Sequence, residues 1–137
     1  MSESLKTVIG FDYGSRWTGI AVGQTLTCQA RPLGAVKTGD WEAIERVLAE
    51  WQPQKLIVGL PLNMKDEKQE MSERAERFGR QLEGRFGITT ICIDERLTTR
   101  EAYTIAIENG QRKSKQEIDS LAAALITESW LRDYDRI

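Results

Sequence analysis

Carboxylates are the side chains of this sequence that are best placed to do chemistry. Asp12 ends the apolar stretch LKTVIGFD, Asp94 and Glu95 end the apolar stretch ITTICIDE, and Asp119 follows Ile118 near the end of the chain. Acids from three distant segments that converge need a cation to offset their repulsion, and Mg²⁺ accepts carboxylate oxygens while keeping several waters. Two such ions can stabilise the attacking and leaving oxygens of a phosphodiester.

Each acid taken alone also has a purely structural interpretation. Asp12 can begin an Asx-type turn, and Asp119 near a helix start is favoured by the helix dipole. Glu95 can pair with Arg96 or Arg100 on the surface, which stabilises little. The joint placement of the three acids is what favours a site.

Composition narrows the chemistry further. The 137 residues contain no histidine, which removes Ser/His and Cys/His nucleophile pairs and His-ligated metal sites. Cys28 and Cys92 lack metal-ligand spacing, so we expect free thiols in a reducing cytoplasm. The formal net charge of -2 means that any nucleic-acid contact must use local positive charge. Neither a membrane span nor a signal peptide is evident, and we expect a cytoplasmic protein. The length of 137 residues predicts one domain over residues 1–137.

Apolar runs and helical periodicity predict five strands and four helices. Asp40 is a candidate N-cap for the first helix and Pro53 a candidate stop, while Pro32 indicates an edge position or a bend in the third strand. On the last helix we expect Ile118, Leu121, Ala122, Leu125 and Ser129 to share one face. The predicted strands are 5–12, 18–25, 27–38, 55–62 and 88–95, and the predicted helices are about 41–52, 69–84, 98–107 and 117–131.

This order predicts an α/β fold with a mixed five-stranded sheet flanked by helices. The first, fourth and fifth strands should be parallel, because helical crossovers connect the later ones. Their carboxyl ends then lie along one edge of the sheet, where open α/β sheets bind their ligands. That edge would hold Asp12 and Glu95.

Several other residues are candidates for contacts with a phosphate or a base. Ser15 and Arg16 lie at the tip of the turn after Asp12, where they could hold a phosphate. Trp17 and Trp41 are candidates for stacking on bases. The basic run before Asp119 could grip backbone phosphates, although a solvated loop is the more common meaning of such a run; its residues are Arg112, Lys113 and Lys115.

Four motifs, in order and over nearly the whole chain, resemble the YqgF family, also called RuvX: IGFDYGSRWTGIAVG, IVGLPLNM, IDERLTTREA and DSLAAALITESWL. The resemblance implies a ribonuclease H-like fold with strand order 3-2-1-4-5. It implies a nuclease of the Holliday junction resolvase-like group, linked to maturation of the 5′ end of 16S ribosomal RNA.

The resemblance also implies that Asp12, Glu95 and Asp119 are the metal-binding catalytic acids, with Mg²⁺ or Mn²⁺ as cofactor and two ions in the site. Arg96 lies in the same motif as Glu95 and is a candidate substrate contact. Asn63 stands where related nucleases sometimes carry a fourth acid, so it is a candidate neutral ligand or substrate contact.

Three alternatives stay open at this point. The substrate is precursor 16S rRNA, on its own or on the pre-ribosome, or it is branched DNA, which resolvases bind as dimers. The stretch DYGSRWTGIAV also resembles the phosphate-binding hairpin of the actin and sugar-kinase superfamily, which predicts a nucleotide-binding module. A ribonuclease H-like fold that binds nucleic acid without cutting it is the third alternative. A monomer and a homodimer are both compatible with the sequence.

Overall fold

A computed structural model describes residues 6–60, 66–94 and 115–134 of the chain. These residues form five strands and three helices, which are β1 (Thr7–Asp12), β2 (Trp17–Gln24), β3 (Gln29–Lys37), α1 (Trp41–Trp51), β4 (Lys55–Leu60), α2 (Asp66–Phe86), β5 (Thr90–Asp94) and α3 (Lys115–Tyr134). The expected helix over 98–107 lies outside the described residues.

The strands form one mixed sheet in the order β3-β2-β1-β4-β5, which confirms the predicted order. β1 is antiparallel to β2 and parallel to β4, and β5 is parallel to β4. Short turns join the first three strands, whereas α2 carries the chain from β4 back to the start of β5. The carboxyl ends of β1, β4 and β5 therefore share one edge of the sheet.

One face of the sheet packs against α1 and α2. Phe11 and Phe78 meet edge to face with ring centroids 5.4 Å apart, and Trp41 stacks on Phe78 at 5.6 Å. The Arg85 guanidinium lies 4.2 Å from the centroid of the Trp41 ring. These contacts argue against the predicted stacking of Trp41 on bases, because two side chains of α2 already contact its ring. The buried members of this core are Ile9, Phe11, Ile20, Val22, Ile44, Leu48, Leu56, Val58, Ala75, Phe78 and Leu82.

The opposite face packs against α3 and is lined by small residues. A Cβ atom added to Gly10 would collide with the Thr127 hydroxyl, and one added to Gly23 would lie 2.7 Å from the Thr127 methyl group. Ala21 contacts Ala123 and Ala124 in the same layer. Glycine and alanine on β1 and β2 thus let the helix axis approach the sheet closely.

The buried face of α3 differs from the expected one. Asp119, Ser120, Ala123 and Thr127 are buried, whereas Leu125 is half-buried. The glycine-rich sheet surface selects a face on which small and polar side chains lie beside Ile126 and Leu131, which are also fully buried. The expected face consisted of Ile118, Leu121, Ala122, Leu125 and Ser129, of which only Ala122 is fully buried.

Helix ends follow recognisable capping chemistry. The Asp40 side chain accepts a hydrogen bond from the Ala43 N–H, and α1 ends at Gln52 in the left-handed conformation with Pro53 next. α2 begins at Asp66, earlier than the predicted residue 69, because acidic residues favour a first helical turn even without an apolar stripe. It ends before Gly87, which has a positive φ of 67°.

Pro32 lies on the edge strand β3, as predicted. Cys28 and Cys92 are free thiols, also as predicted. Among the helices of the described residues, none is long and apolar enough to cross a membrane.

Candidate active site

Asp12 is placed by the end of β1 and is 8% exposed. Val8 on the same strand packs with Ile126 and Leu131 of α3, so the alternation of side chains along β1 puts Gly10 and Asp12 on that face too. Gly19 on β2 and Gly59 on β4 are the register partners of Asp12. The carboxylate of Asp12 thus emerges between two strands that present no side chain beside it.

Asp119 is placed by the first turns of α3 and is also 8% exposed. Its carbonyl lies directly against Gly19, where an added Cβ atom would collide with it. Because Gly19 is also the register partner of Asp12, a single glycine separates the backbones that carry the two acids. The structure therefore brings together two of the three acids named from the sequence.

Two buried carboxylates in one region repel each other, and a divalent cation offsets that cost. Their hard oxygen donors fit Mg²⁺ or Mn²⁺. Glu95, the expected third ligand, lies outside the described residues and directly follows β5. Within the described ranges there is accordingly no group of three or more Asp, Glu, Cys or His side chains that could hold a metal ion.

Thr38 holds the turn after Asp12 in place through hydrogen bonds, and no sequence pattern marks this residue. The Thr38 hydroxyl donates to the Gly14 carbonyl at 2.6 Å, and its backbone N–H donates to the Arg16 carbonyl at 2.8 Å. The Thr38 and Thr18 hydroxyl oxygens are 2.9 Å apart. Ser15 and Arg16 are exposed at the tip of this turn. Threonine is ordinary at a strand end, so nothing in the sequence distinguished Thr38.

The remaining predicted site residues are only partly within the described chain. Lys115 begins α3, one helical turn before Asp119. Four others lie outside the described residues: Asn63, Arg96, Arg112 and Lys113.

A groove lies between α2 and β5, on the face of the sheet away from α3. It has a volume of about 570 Å³, and Arg80, Glu83 and Cys92 are among the residues that line it. Burial raises the pKa of the Cys92 thiol, and the negative charge of Glu76 adds to the rise. A protonated thiol is a poor nucleophile and a poor metal ligand, so this groove offers no chemistry comparable to that of the paired acids.

Comparison with known proteins identifies a family model and several relatives that are similar to this chain. The family model described as "RuvX: Holliday junction resolvase" matches residues 6–133. A protein of Pseudomonas paraeruginosa strain PA7, named "Putative pre-16S rRNA nuclease", is 48% identical over an alignment of 138 positions that covers 96% of this chain and 96% of the relative. A protein of Azotobacter vinelandii with the same name is 48% identical over 134 residues, which cover 93% of this chain and 94% of the relative.

Among solved structures, Thermus thermophilus RuvC in complex with a Holliday junction substrate matches with a TM-score of 0.58 and 18% identity, covering 93% of this chain and 96% of that chain. This likeness shows a shared fold, that of the RuvC and ribonuclease H-like resolvases. The match of the family model to residues 6–133, together with 48% identity to relatives of nearly the same length, shows that this chain belongs to the RuvX family.

Proposed function

We propose that this protein is a metal-dependent endonuclease that hydrolyses phosphodiester bonds during 5′-end maturation of pre-16S ribosomal RNA. The observation that carries the proposal is the convergence of Asp12 and Asp119, both 8% exposed, on either side of Gly19. The name shared by the relatives of Pseudomonas and Azotobacter supports the choice of RNA. A ribosomal RNA substrate would place the protein in the bacterial cytoplasm.

In this proposal Asp12, Glu95 and Asp119 hold Mg²⁺ or Mn²⁺. When bound, such ions lower the pKa of a coordinated water and stabilise the charge that develops on the leaving oxygen. Asp12 and Asp119 would contribute carboxylate oxygens from a strand end and a helix, which are rigid elements. With no histidine in the chain, water is the nucleophile that this donor set can serve.

Phosphates of the substrate would be held by groups around these acids. The Thr38 hydrogen bonds support a role for the turn that carries Ser15 and Arg16, because they hold the backbone carbonyls of Gly14 and Arg16 in the turn that follows Asp12. Lys115 begins the helix that carries Asp119. We include Asn63 and Arg96 in the substrate-binding set because they belong to the motifs that resemble the family, and Arg112 and Lys113 because they belong to the basic run before Asp119.

The first experiment is a cleavage assay on a labelled RNA that spans the 5′ leader and start of 16S rRNA, with Mg²⁺, Mn²⁺ or chelator. We expect cleavage to require the metal. Asp12→Asn and Asp119→Asn should each reduce the cleavage rate by more than about 100-fold, because loss of groups that only support metal ligands already lowers metal affinity or activity by about 10–100-fold. Asp133→Asn is the matched control, because Asp133 is an exposed acid on the same helix as Asp119.

The outcomes separate the functional alternatives. Equal cleavage by all variants would assign the activity to a contaminant and contradict the proposal. A folded wild-type protein that binds the RNA but does not cut it with either metal would indicate a binding module instead.

Branched DNA is the second candidate substrate, favoured by the description of the family model as a Holliday junction resolvase. The same preparations should therefore be tested on a four-way junction. Resolution of a two-fold symmetric junction requires two active sites, so junction cleavage accompanied by a dimer in solution would favour this candidate over RNA.

A further inference from the structure

A bulge in β3 lies beside the site. Ile20 of β2 is opposite Gly34, whereas the next residue, Ala21, is opposite Pro32, so Leu33 is an extra residue in β3. Gly34 has a φ of +108°, a conformation that glycine adopts without strain. At a bulge the regular ladder is disrupted, and the backbone groups there need partners from elsewhere.

The side chain of Ser120 supplies such partners. Its hydroxyl accepts a hydrogen bond from the Gly34 N–H at 2.7 Å and donates one to the Ile20 carbonyl at 3.1 Å. Ser120 is 1% exposed, so solvent does not compete for these bonds. A single hydroxyl of α3 therefore forms hydrogen bonds with both β2 and β3 at the bulge.

Ser120 is the neighbour of Asp119, whose carbonyl rests against Gly19. Adjacent Cα atoms are about 3.8 Å apart, so a turn or slide of α3 that moved Asp119 would also break the bonds of Ser120. The contact with Gly19 stops α3 from moving closer to the sheet, and the Ser120 bonds resist its rotation and retreat. Together they set where the Asp119 carboxylate lies relative to Asp12.

We propose that Ser120 is a positioning residue that holds Asp119 in register with Asp12 for binding of a divalent cation. The inference rests on the proposed nuclease function and adds to it a residue that touches neither substrate nor metal. Its role resembles that of the outer groups that orient metal ligands in proteins.

Thr127 provides a matched control on the same helix. It is fully buried, like Ser120, but its hydroxyl donates to the Ala123 carbonyl of its own helix at 2.7 Å. Removing that hydroxyl breaks no hydrogen bond between α3 and the sheet. Thr127→Val and Ser120→Ala therefore both delete a buried hydroxyl from α3, and only the second deletes an anchor to β2 and β3.

The test is a titration of folded protein with Mn²⁺, followed by calorimetry, on wild type, Asp119→Asn, Ser120→Ala and Thr127→Val. We expect Ser120→Ala to raise the Kd for Mn²⁺ by about 10–100-fold, the range seen for groups that orient ligands. The Mn²⁺ concentration for half-maximal RNA cleavage should rise in parallel, and cleavage at saturating Mn²⁺ should largely recover. Thr127→Val should leave the Kd unchanged.

If Ser120→Ala does not fold, Ser120→Cys fills nearly the same space with a weak hydrogen-bonding group and is expected to raise the Kd in the same way.

Each result decides between the two proposals. If Asp119→Asn weakens Mn²⁺ binding while folded Ser120→Ala or Ser120→Cys binds as wild type does, the nuclease function stands and the inference about Ser120 is wrong. An equal loss in Thr127→Val would also overturn it, because the effect would then be general to α3. If the wild-type protein neither binds Mn²⁺ nor cleaves RNA, the proposed function and the inference fail together.

Discussion

Gly19 shows how a residue without a side chain can determine a site. It lies in β2 opposite Asp12, and the backbone carbonyl of Asp119 packs directly against it. Any side chain here would occupy the space of that carbonyl and push the first turns of α3 away from the sheet. The closeness of the two acidic segments therefore depends on this glycine as much as on the acids themselves.

Gly19→Ala is accordingly expected to lower the free energy of unfolding by about 1–3 kcal/mol, the usual cost of overpacking. Cleavage should fall further than the loss of folded protein explains, because α3 carries Asp119 with it when it moves. Urea denaturation and the RNA cleavage assay measure the two effects. Gly84→Ala is the control, since a Cβ atom there meets nothing within 4 Å, and it should stabilise α2 by about 0.5–1 kcal/mol. A Gly19→Ala protein with wild-type stability and activity would refute this account of the site.

At the scale of elements, α1 joins the hairpin half of the sheet to its parallel half. It begins at Trp41, whose ring lies between Phe78 and the Arg85 guanidinium of α2. Asp40 immediately precedes α1, and the Asp40 carboxylate accepts a hydrogen bond from the Ala43 N–H at 3.1 Å. Capping at this point fixes where the helix starts and hence where Trp41 enters the core.

Asp40→Ala should therefore lower the free energy of unfolding by about 1 kcal/mol, the typical effect of losing an N-cap side chain. Asp40→Asn keeps an oxygen acceptor and should stay close to wild type. Urea denaturation of the three proteins compares these values directly. A destabilisation by Asp40→Asn equal to that by Asp40→Ala would mean that charge, rather than capping, is what Asp40 contributes.

At the scale of the whole molecule, both ends of the sheet carry positively charged side chains, and the surroundings of these side chains differ. Arg16 and Lys37 are exposed at the end that carries the acids. At the other end, the Arg31 guanidinium lies 5.2 Å from the Trp51 ring centroid and the Lys55 ammonium 5.8 Å from that of Trp130. A protein with a net charge of -2 must attract RNA through local positive charge, and Arg16 and Lys37 are the exposed cations at the end that carries the acids.

Arg16→Gln and Lys37→Gln should each weaken binding of the 16S leader RNA and lower the slope of log K against log salt by about 0.7, the value for one contact to a single-strand phosphate. The measurement is fluorescence anisotropy over a range of salt, in an Asp12→Asn background that prevents cleavage. Arg31→Gln is the control from the opposite end of β3 and should leave the slope unchanged. Equal effects of all three substitutions would show that the RNA is held by overall charge.

Much of this architecture was predictable because the sequence patterns that indicate its strands and helices are local. Continuous apolar runs indicated β1 and β4, and the Asp40 cap with the Pro53 stop bounded α1. The parallel relation of β1, β4 and β5 followed from the helical crossovers, and the strand order from the family resemblance. The buried face of α3 was mispredicted, because Ala and Ser contribute little to a hydrophobic pattern.

The sequence by itself therefore determined most of the described elements and the sheet edge at which β1 and β5 end, and it predicted acids at that edge, since each of these depends on nearby residues or on a motif. Only the tertiary structure decided that Gly19 separates Asp12 from Asp119, that Thr38 ties down the turn after β1, and that Ser120 fastens α3 to the bulge. Ser120 and Ile20 are 100 positions apart, and small or polar side chains that pair over such distances leave no periodicity to read. Their roles emerge when a glycine-lined sheet surface allows a helix to come close enough for a single hydroxyl to reach the backbone of two strands.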